Sequence, residues 1–344
     1  MKYVVYGAGA IGGSLAAHMI EHGLDVVLVD LDADHVEAIN RDGLRLVGPG
    51  VDITARARAV TPEHMDFPLD GVFLSVKSQH TADAMATIAP RLAQDGFVLS
   101  LQNGLNEYEI ARYVGEERVV GALVNWAADY ISPGVIQYGG TSNFVIGELS
   151  GQTSSRVTDL SDDLRGVFDA EVADNILGFL WSKQVSLGVL FATGITPLTI
   201  SDCLDTVAFE PAFVAIAAEG LALADLHGVK LENLGDFDPE LYRLGRAREA
   251  LTLMADHYRP MLKQHTGLYR DLAVRKRQSE IEGTIGMAIG LGAIAGFEMP
   301  AHRRLKEIVE EIEMGSRAIS VENLGELVEA CAGVVTSSLT QLEP

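Results

Sequence analysis

The stretch Tyr3-Val4-Val5-Tyr6 followed by Gly7-Ala8-Gly9-Ala10-Ile11-Gly12 decides the fold. An apolar strand runs into G-x-G-x-x-G and then into a helical pattern. A second apolar run, Val26-Val27-Leu28-Val29, ends on Asp30. Strand, glycine turn, helix, strand and acid is the arrangement that binds a dinucleotide. Gly7 makes the tight turn, Gly9 lets a pyrophosphate approach the backbone, and Gly12 lets the helix pack closely on the sheet. With Ala8, Ala10 and Ile11 between them, the whole turn is a candidate cofactor contact. The helix start offers free N–H groups and partial positive charge to phosphates. Asp30 stands where a carboxylate can accept hydrogen bonds from the adenosine ribose.

Outward from this turn, the first half alternates strand and helix. A helix over Asp34–Arg41 stops at Gly43, and a polar excursion with β character covers Leu44–Val60. Strands are expected at Val72–Val76, Phe97–Leu101 and Val119–Leu123, with helices at Thr81–Leu92 and Glu107–Tyr113. Phe144–Gly147 and Glu171–Ala173 read as closing edge strands. Strands spaced by helices predict an α/β fold with a parallel, doubly wound sheet. From Ile176 the pattern is helical, with long 3.6-period stretches at Val207–Leu226 and Glu280–Ala295. The expected division is a dinucleotide-binding Rossmann domain over 1–175 and an all-helical substrate and catalytic domain over 176–344. The glycines in Glu282–Gly290 cost helix stability. They predict a helix whose backbone another helix approaches closely.

Composition narrows the function. A chain of 344 residues, 48% hydrophobic and 22% charged, has room for two domains and the balance of an ordinary soluble protein. A formal charge of −22 would repel nucleic acid. No apolar run reads as long enough to span a bilayer. The first strand occupies the place where a signal peptide would lie. Cys203 and Cys331 have neither metal nor redox spacing. Together these point to a cytoplasmic protein acting on a small molecule, and they leave a homodimer open.

In an open α/β sheet, ligands bind outside the carboxyl ends of the strands. Three polar sites follow strand ends here: Asp30, Lys77, and Gln102-Asn103-Gly104. Lys77 could reach a bound anion, and Asn103 could hold a carboxamide or carbonyl. Taken singly, Lys77 could equally be a solvated charge, and Asn-Gly favours a plain turn. Their shared rim favours the functional reading. His18-Met19-Ile20-Glu21-His22 matches the H-x-x-E-H zinc pattern, but it lies on the helix that leaves the glycine turn. We expect no metal there. The basic run Arg270, Arg275, Lys276, Arg277 could pair with Asp271 and Glu280 or grip a substrate carboxylate.

Gly7–Gly12, Val76-Lys77, Gln102-Asn103-Gly104, Trp181-Ser182-Lys183 and Ser279-Glu280-Ile281-Glu282, followed by Gly296 and Pro300, resemble the ketopantoate reductase (2-dehydropantoate 2-reductase) family over nearly the whole chain. The resemblance implies a Rossmann domain, a helical C-terminal domain and an active site in the cleft between them. It implies reduction of a branched 2-oxo acid with NADH or NADPH, in pantothenate biosynthesis. It makes Lys183 the general acid and Glu280 its helix-start glutamate. Asn103 and Lys77 become cofactor- and substrate-positioning residues, and Ala127 a backbone cofactor contact. The chemistry is coherent, because hydride addition leaves an alkoxide that an ammonium can stabilise and protonate. Lys183 lies in an apolar stretch, where burial favours the neutral amine and Glu280 would oppose that. The plainer readings are a snorkelling lysine and a glutamate compensating a helix dipole beside a Ser279 cap.

The departures from the family are equally informative. Where that family presents asparagines one and two turns after the lysine, this chain has Leu187 and Phe191. The serine expected before Arg270-Asp271 reads Gly267, beside Thr266, and the stretch from Asp271 to Glu280 is one residue longer. A pocket with Leu and Phe in place of amides should prefer a more apolar 2-oxo or 2-hydroxy acid than ketopantoate, because unpaired polar groups are costly to bury. Near the end of the second strand, family members using NADP carry a basic residue. Here Asp30, Asp32 and Asp34 would repel a 2′-phosphate, which favours NAD. Opine-type and glycerol-phosphate-type dehydrogenases share the two-domain plan, but a His/Asp pair and a phosphate-binding set are missing from the pattern. A dinucleotide-binding sensor without catalysis is the rival of another class, and it would have no need of Lys183 and Glu280.

Overall fold

A computed structural model of the chain describes residues 2–168, 170–261 and 263–331, and at 141–143 the backbone alone. Residues 332–344 of the expected second domain lie outside the described residues. The chain divides into two compact units, Met1–Leu177 and Gly178–Pro344.

Unit 1 is built on a ten-stranded sheet. Its strands are β1 (Tyr3–Tyr6), β2 (Val26–Val29), β3 (Leu44–Gly48), β4 (Val51–Ala55), β5 (Arg58–Val60), β6 (Leu69–Leu74), β7 (Leu92–Ser100), β8 (Val119–Ser132), β9 (Val135–Glu148) and β10 (Glu171–Val172). The order is β4-β3-β9-β8-β7-β6-β1-β2-β5, with β10 on β9. Helices α1 (Ala10–Glu21), α2 (Ala33–Asp42), α3 (Thr81–Ile88), α4 (Glu107–Val114) and α5 (Ser155–Leu164) complete the unit. The alternation of β1 explains the layering. Tyr3 and Val5 belong to one core, with Leu15, Ala16, Met19, Leu160 and Leu164. Val4 and Tyr6 belong to another, with Met85, Ile88, Ile110 and Val114. Both faces of the sheet are therefore covered, as strands of continuous apolar sequence require.

The sheet is mixed, which corrects the expectation of a purely parallel one. β8 pairs antiparallel with β9, and β3 with β4. Pro133 and Gly134 (φ +74°) join β8 to β9, and so short a turn can only reverse the chain. β8 runs on to Ser132 because exposed Asn125 and Ala127 alternate with buried Trp126. The segment Phe144–Gly147 is likewise not at an edge: β9 lies between β3 and β8 and also takes β10. Helix α3 ends at Ile88 rather than Leu92, and β7 starts at Leu92.

His18 sits edge-on to Tyr138 and Phe168, with ring centroids at 5.1 Å, and its Nε2 has no partner among the described residues. Burial, and then the charge of His22, hold its pKa below the usual 6.5. The folded state therefore binds this proton less readily than the unfolded chain. Stability is fully present above pH 6.5 and is lost as pH falls through the folded pKa. His18→Phe should flatten the acid side of a plot of thermal midpoint against pH. An unchanged acid slope would remove His18 as its source.

Unit 2 is helical. It contains most of α6 (Ile176–Thr193), then α7 (Ile200–Asp205), α8 (Glu210–Leu226), α9 (Pro239–Arg243), α10 (Ala247–Tyr258), α11 (Gly267–Tyr269), α12 (Met287–Ile294), α13 (Pro300–Glu313) and α14 (Glu322–Cys331). Two π-helical turns, Arg270–Arg275 and Glu282–Gly286, interrupt it. Two stretches, Ile176–Thr193 and Val207–Leu226, are long and apolar enough to cross a membrane, contrary to the sequence expectation. They serve as packed helices here, with 78% and 56% of the apolar window buried in the fold. The glycine-rich segment also departs from expectation. A Cβ at Gly286 would meet the Glu282 carboxyl of its own helix at 2.8 Å, and one at Gly290 would meet nothing within 4 Å, so another helix approaches neither.

Candidate active site

Four strand ends of unit 1 lie in register on one rim. Tyr6 is level with Val29 on one side and Leu74 on the other, and Leu74 is level with Ser100. The turns that leave them carry Gly7–Gly12, Asp30, Lys77 and Asn103. β1 lies between β2 and β6, so this rim is where the strand order reverses, the place where open α/β sheets bind ligands. The turns are tied to one another. Ser75 Oγ donates to the Gly7 carbonyl (2.5 Å). Gln102 Nε2 donates to the Val76 carbonyl (2.9 Å) and to Thr81 Oγ1 (2.8 Å). Asn106 Nδ2 donates to the Asn103 carbonyl (2.6 Å), which leaves the half-exposed Asn103 carboxamide unengaged among the described residues. Ala127 is an exposed position on β8.

The glycines test whether this rim fits a dinucleotide. A Cβ on Gly7 (φ +96°) would stand 2.9 Å from the Ser75–Val76 backbone, and one on Gly12 would stand 2.1 Å from the Gly7 carbonyl. Both positions are glycine because the protein's own packing demands it. Gly9 is different: its φ is −68°, and a Cβ there would meet nothing within 4 Å. Among the described residues no packing contact requires glycine there, and the open space above the backbone leaves room for a pyrophosphate to approach. Helix α1 starts there with no side-chain cap and no acid in its first turn, the arrangement in which helix N–H groups can receive a phosphate.

Asp30 is held ready. Its carboxylate accepts the Ala8 N–H (2.7 Å) through Oδ2 and the Asp32 N–H (3.0 Å) through Oδ1. Two residues beside it were not legible in the sequence. Buried His35 bonds the Ala8 carbonyl (2.9 Å), and Tyr130 on β8 donates to Asp32 Oδ2 (3.1 Å). Only an acid-rich helix start at Asp32-Ala33-Asp34-His35 hinted at the first.

In unit 2, α6 presents Lys183. The helix is buried nearly all round, and its partly accessible positions are Leu177, Phe179, Lys183 and Leu187. Phe179, Lys183 and Leu187 are four residues apart and form one stripe, on which Lys183 is the single charge of the helix. Phe191 lies a turn further on and is 8% exposed. Gln184, next to Lys183, donates through Nε2 to the Thr284 carbonyl (3.0 Å), and Thr284 Oγ1 donates to the Glu280 carbonyl (2.8 Å). These bonds tie the segment after the half-buried Glu280 to the lysine helix. Ser279 is held from α13, its N–H and Oγ both donating to Glu313 Oε1 (2.8 and 2.6 Å).

Thr266 caps α11 by accepting the Tyr269 N–H (3.2 Å) and lies against Gly194, at the end of α6. The basic run folds around buried Asp271, which accepts from Arg275 (3.2 Å) and Arg277 (2.8 Å). Lys276 closes that turn in the left-handed region at φ +49°. Asp236 was also missed. It is a buried carboxyl near the charge of Lys183 and 3.9 Å from His257 Nε2. Burial raises its pKa, with His257 and Lys183 opposing the shift.

A Rossmann-type nucleotide half with an open glycine cradle, joined to a helical half offering one lysine from an apolar helix, defines a nucleotide-linked oxidoreductase. The family model described as ketopantoate reductase PanE/ApbA matches residues 3–151, and the model of that family's C-terminal part matches 175–313. The chain belongs to the ketopantoate reductase family. The 2-dehydropantoate 2-reductase of Mesorhizobium japonicum is 32% identical over 232 residues, covering 61% of this chain and 71% of that protein. That of Pyrococcus horikoshii is 27% identical over 322 residues, 91% of this chain and 98% of that protein. Among solved structures, a PanE/ApbA family ketopantoate reductase from Ralstonia eutropha JMP134 superposes with a TM-score of 0.77 at 29% identity, covering 92% of this chain and 99% of that one. D-Mandelate dehydrogenase, solved with NADH and anilino(oxo)acetate, shares the fold with a TM-score of 0.80 at 22% identity, covering 92% and 99%.

Proposed function

We propose that this chain reduces a 2-oxo acid with a large apolar tail, using NADH, with Lys183 as the proton donor. The observation that carries this reading is the α6 stripe of Phe179, Lys183 and Leu187, a single ammonium flanked by apolar side chains. A reduced nicotinamide held on the rim of Gly7–Gly12 and Asp30 would supply hydride chemistry for the ketone carbon. The Lys183 ammonium stabilises the charge that develops on the carbonyl oxygen and transfers a proton to it from Nζ. Glu280 is its acidic partner in this reading, at the start of the segment that Thr284 and Gln184 tie to the lysine helix. Asn103 and Lys77 orient the reacting groups, and Ala127 lends its backbone to the cofactor. Leu187 lines the place of the substrate tail, with Phe191 a turn further along the helix and Thr266 beyond it against Gly194.

The choice of NADH rests on charge. Asp30 is aimed by two backbone donors, and Asp32 and Asp34 stand beside it where a 2′-phosphate would need a cation. D-Mandelate dehydrogenase, which shares this fold, was solved with NADH. Both cysteines are buried free thiols, which fits a reducing compartment such as the cytoplasm.

The test is a panel of 2-oxo acids, ketopantoate included, each followed with NADH and with NADPH. Acids with larger apolar tails should give the highest kcat/KM, and NADH should be preferred. Leu187→Asn should move the preference toward ketopantoate by roughly tenfold, the scale of one new hydrogen bond to a substrate hydroxyl. Ketopantoate emerging as the best substrate, with no gain from the asparagine, would sink the apolar-substrate reading.

A further inference from the structure

The hairpin of β8 and β9 reaches the acid cluster that follows β2. Tyr130, on the outer part of β8, donates its phenol to Asp32 Oδ2 at 3.1 Å, across 98 residues of sequence. Asp32 Oδ1 already accepts the Asp34 and His35 N–H groups (3.1 and 3.2 Å) and so caps α2. The carboxylate is therefore pinned at both oxygens, by its own helix on one side and by the hairpin on the other. A fully buried histidine ties the same two elements together. His35 Nδ1 accepts the Gly134 N–H at the hairpin turn (2.8 Å), so its Nε2 carries the proton and donates to the Ala8 carbonyl (2.9 Å). Asp30 holds the N–H of that same Ala8 at 2.7 Å. The Tyr130 ring meets the His35 ring edge-on, with centroids at 5.1 Å. Glycine turn, ribose acid, Asp32 and hairpin thus form one bonded unit.

We infer that Tyr130 is a specificity-determining residue for the cofactor, acting by fixing the Asp32 carboxylate where the 2′-phosphate of NADPH would lie. The inference rests on the NADH reading above and gives it a second residue, from an element outside the βαβ unit. A free aspartate could turn into solvent and relieve its repulsion of a phosphate. One held at both oxygens cannot, so the repulsion is built in. The phenol can keep this role across the working pH range, since burial and the carboxylates of Asp32, Asp30 and Asp34 push its pKa up to about 12.

The experiment is a double-mutant cycle read by calorimetric Kd values for NADH and NADPH, without substrate. Tyr130→Phe keeps the ring against His35 and removes only the donor. Asp32→Asn keeps an oxygen to cap α2 and removes the charge. Wild type should bind NADH more tightly than NADPH, and Tyr130→Phe should cut that preference by about tenfold, the scale of a hydrogen bond to a charged group. In the Asp32→Asn background, Tyr130→Phe should change the preference no further. If Tyr130→Phe leaves the wild-type preference intact, or narrows it equally in both backgrounds, Tyr130 does not act through Asp32 and the inference falls while the NADH reading stands. A wild type that binds NADPH at least as tightly as NADH overturns that reading and the inference with it.

Discussion

Lys183→Ala is expected to lower kcat by about three orders of magnitude while the Kd for NADH stays within about twofold of wild type, in line with the usual contribution of a positioned general acid. The split follows from where the ammonium is proposed to act. In that role the charge it would meet exists only as the ketone becomes an alkoxide, so its loss would be felt in the transition state and scarcely in cofactor binding. Lys183 is the single charge on a helix whose other accessible residues are apolar. A replacement from the same stripe is therefore unavailable, because Phe179 and Leu187 can neither donate a proton nor stabilise an oxyanion. Single-turnover kinetics with saturating NADH and the best 2-oxo acid of the panel decide the matter. A near-normal kcat would remove Lys183 from the mechanism. Weakened NADH binding as the main defect would make it a structural or cofactor residue.

Glu219→Ala is expected to cost about 3–5 kcal/mol of stability, the range for removing one partner of a buried, fully bonded carboxylate. Glu219 on α8 is 2% exposed and faces the start of α13. Its carboxylate accepts the Ala301 N–H (2.8 Å), the His302 N–H (3.0 Å) and His302 Nδ1 (2.8 Å). It thus caps a helix that has Pro300 at its first position and no side-chain cap of its own. The alanine leaves three donors without acceptors in a dry interior. The His302 ring also lies against α6, with Nε2 3.3 Å from where a Cβ on Gly188 would stand, so the loss would loosen the helix that carries Lys183. Glu219→Gln keeps one oxygen acceptor and should cost markedly less. Urea unfolding of the two variants provides the comparison, and equal stabilities for alanine and wild type would show that the cap is not needed.

Much of the Rossmann half was legible because its signals are local. Gly7 and Gly12 answer to steric demands within a few residues or at the neighbouring strand end, and the apolar runs of β1 and β2 declare strands buried on both faces. The positions of Asp30, Lys77 and Asn103 at strand ends followed from that alternation. The long hairpin was missed because Asn125-Trp126-Ala127 alternates with a period of two and carries little apolar weight, so only the strand's first residues stood out. The roles proposed for Lys183 and Glu280 came from likeness to a family. Residue chemistry alone would have left Lys183 as a lysine at a helix edge.

The sequence by itself determined the two-part plan, the glycine turn after β1 and the acid that follows β2, because each is written in neighbouring residues and in the periods of strand and helix. Tertiary structure alone showed that, among the described residues, Gly7 and Gly12 are held to glycine by close packing and Gly9 is not. It alone brought Tyr130 to Asp32, His35 between Ala8 and Gly134, and Glu219 to the start of α13. The physical reason is the same in each case. A hydrogen bond between groups 27 to 99 residues apart leaves no period and no motif in the chain, since its partners are chosen by where the folded backbone carries them.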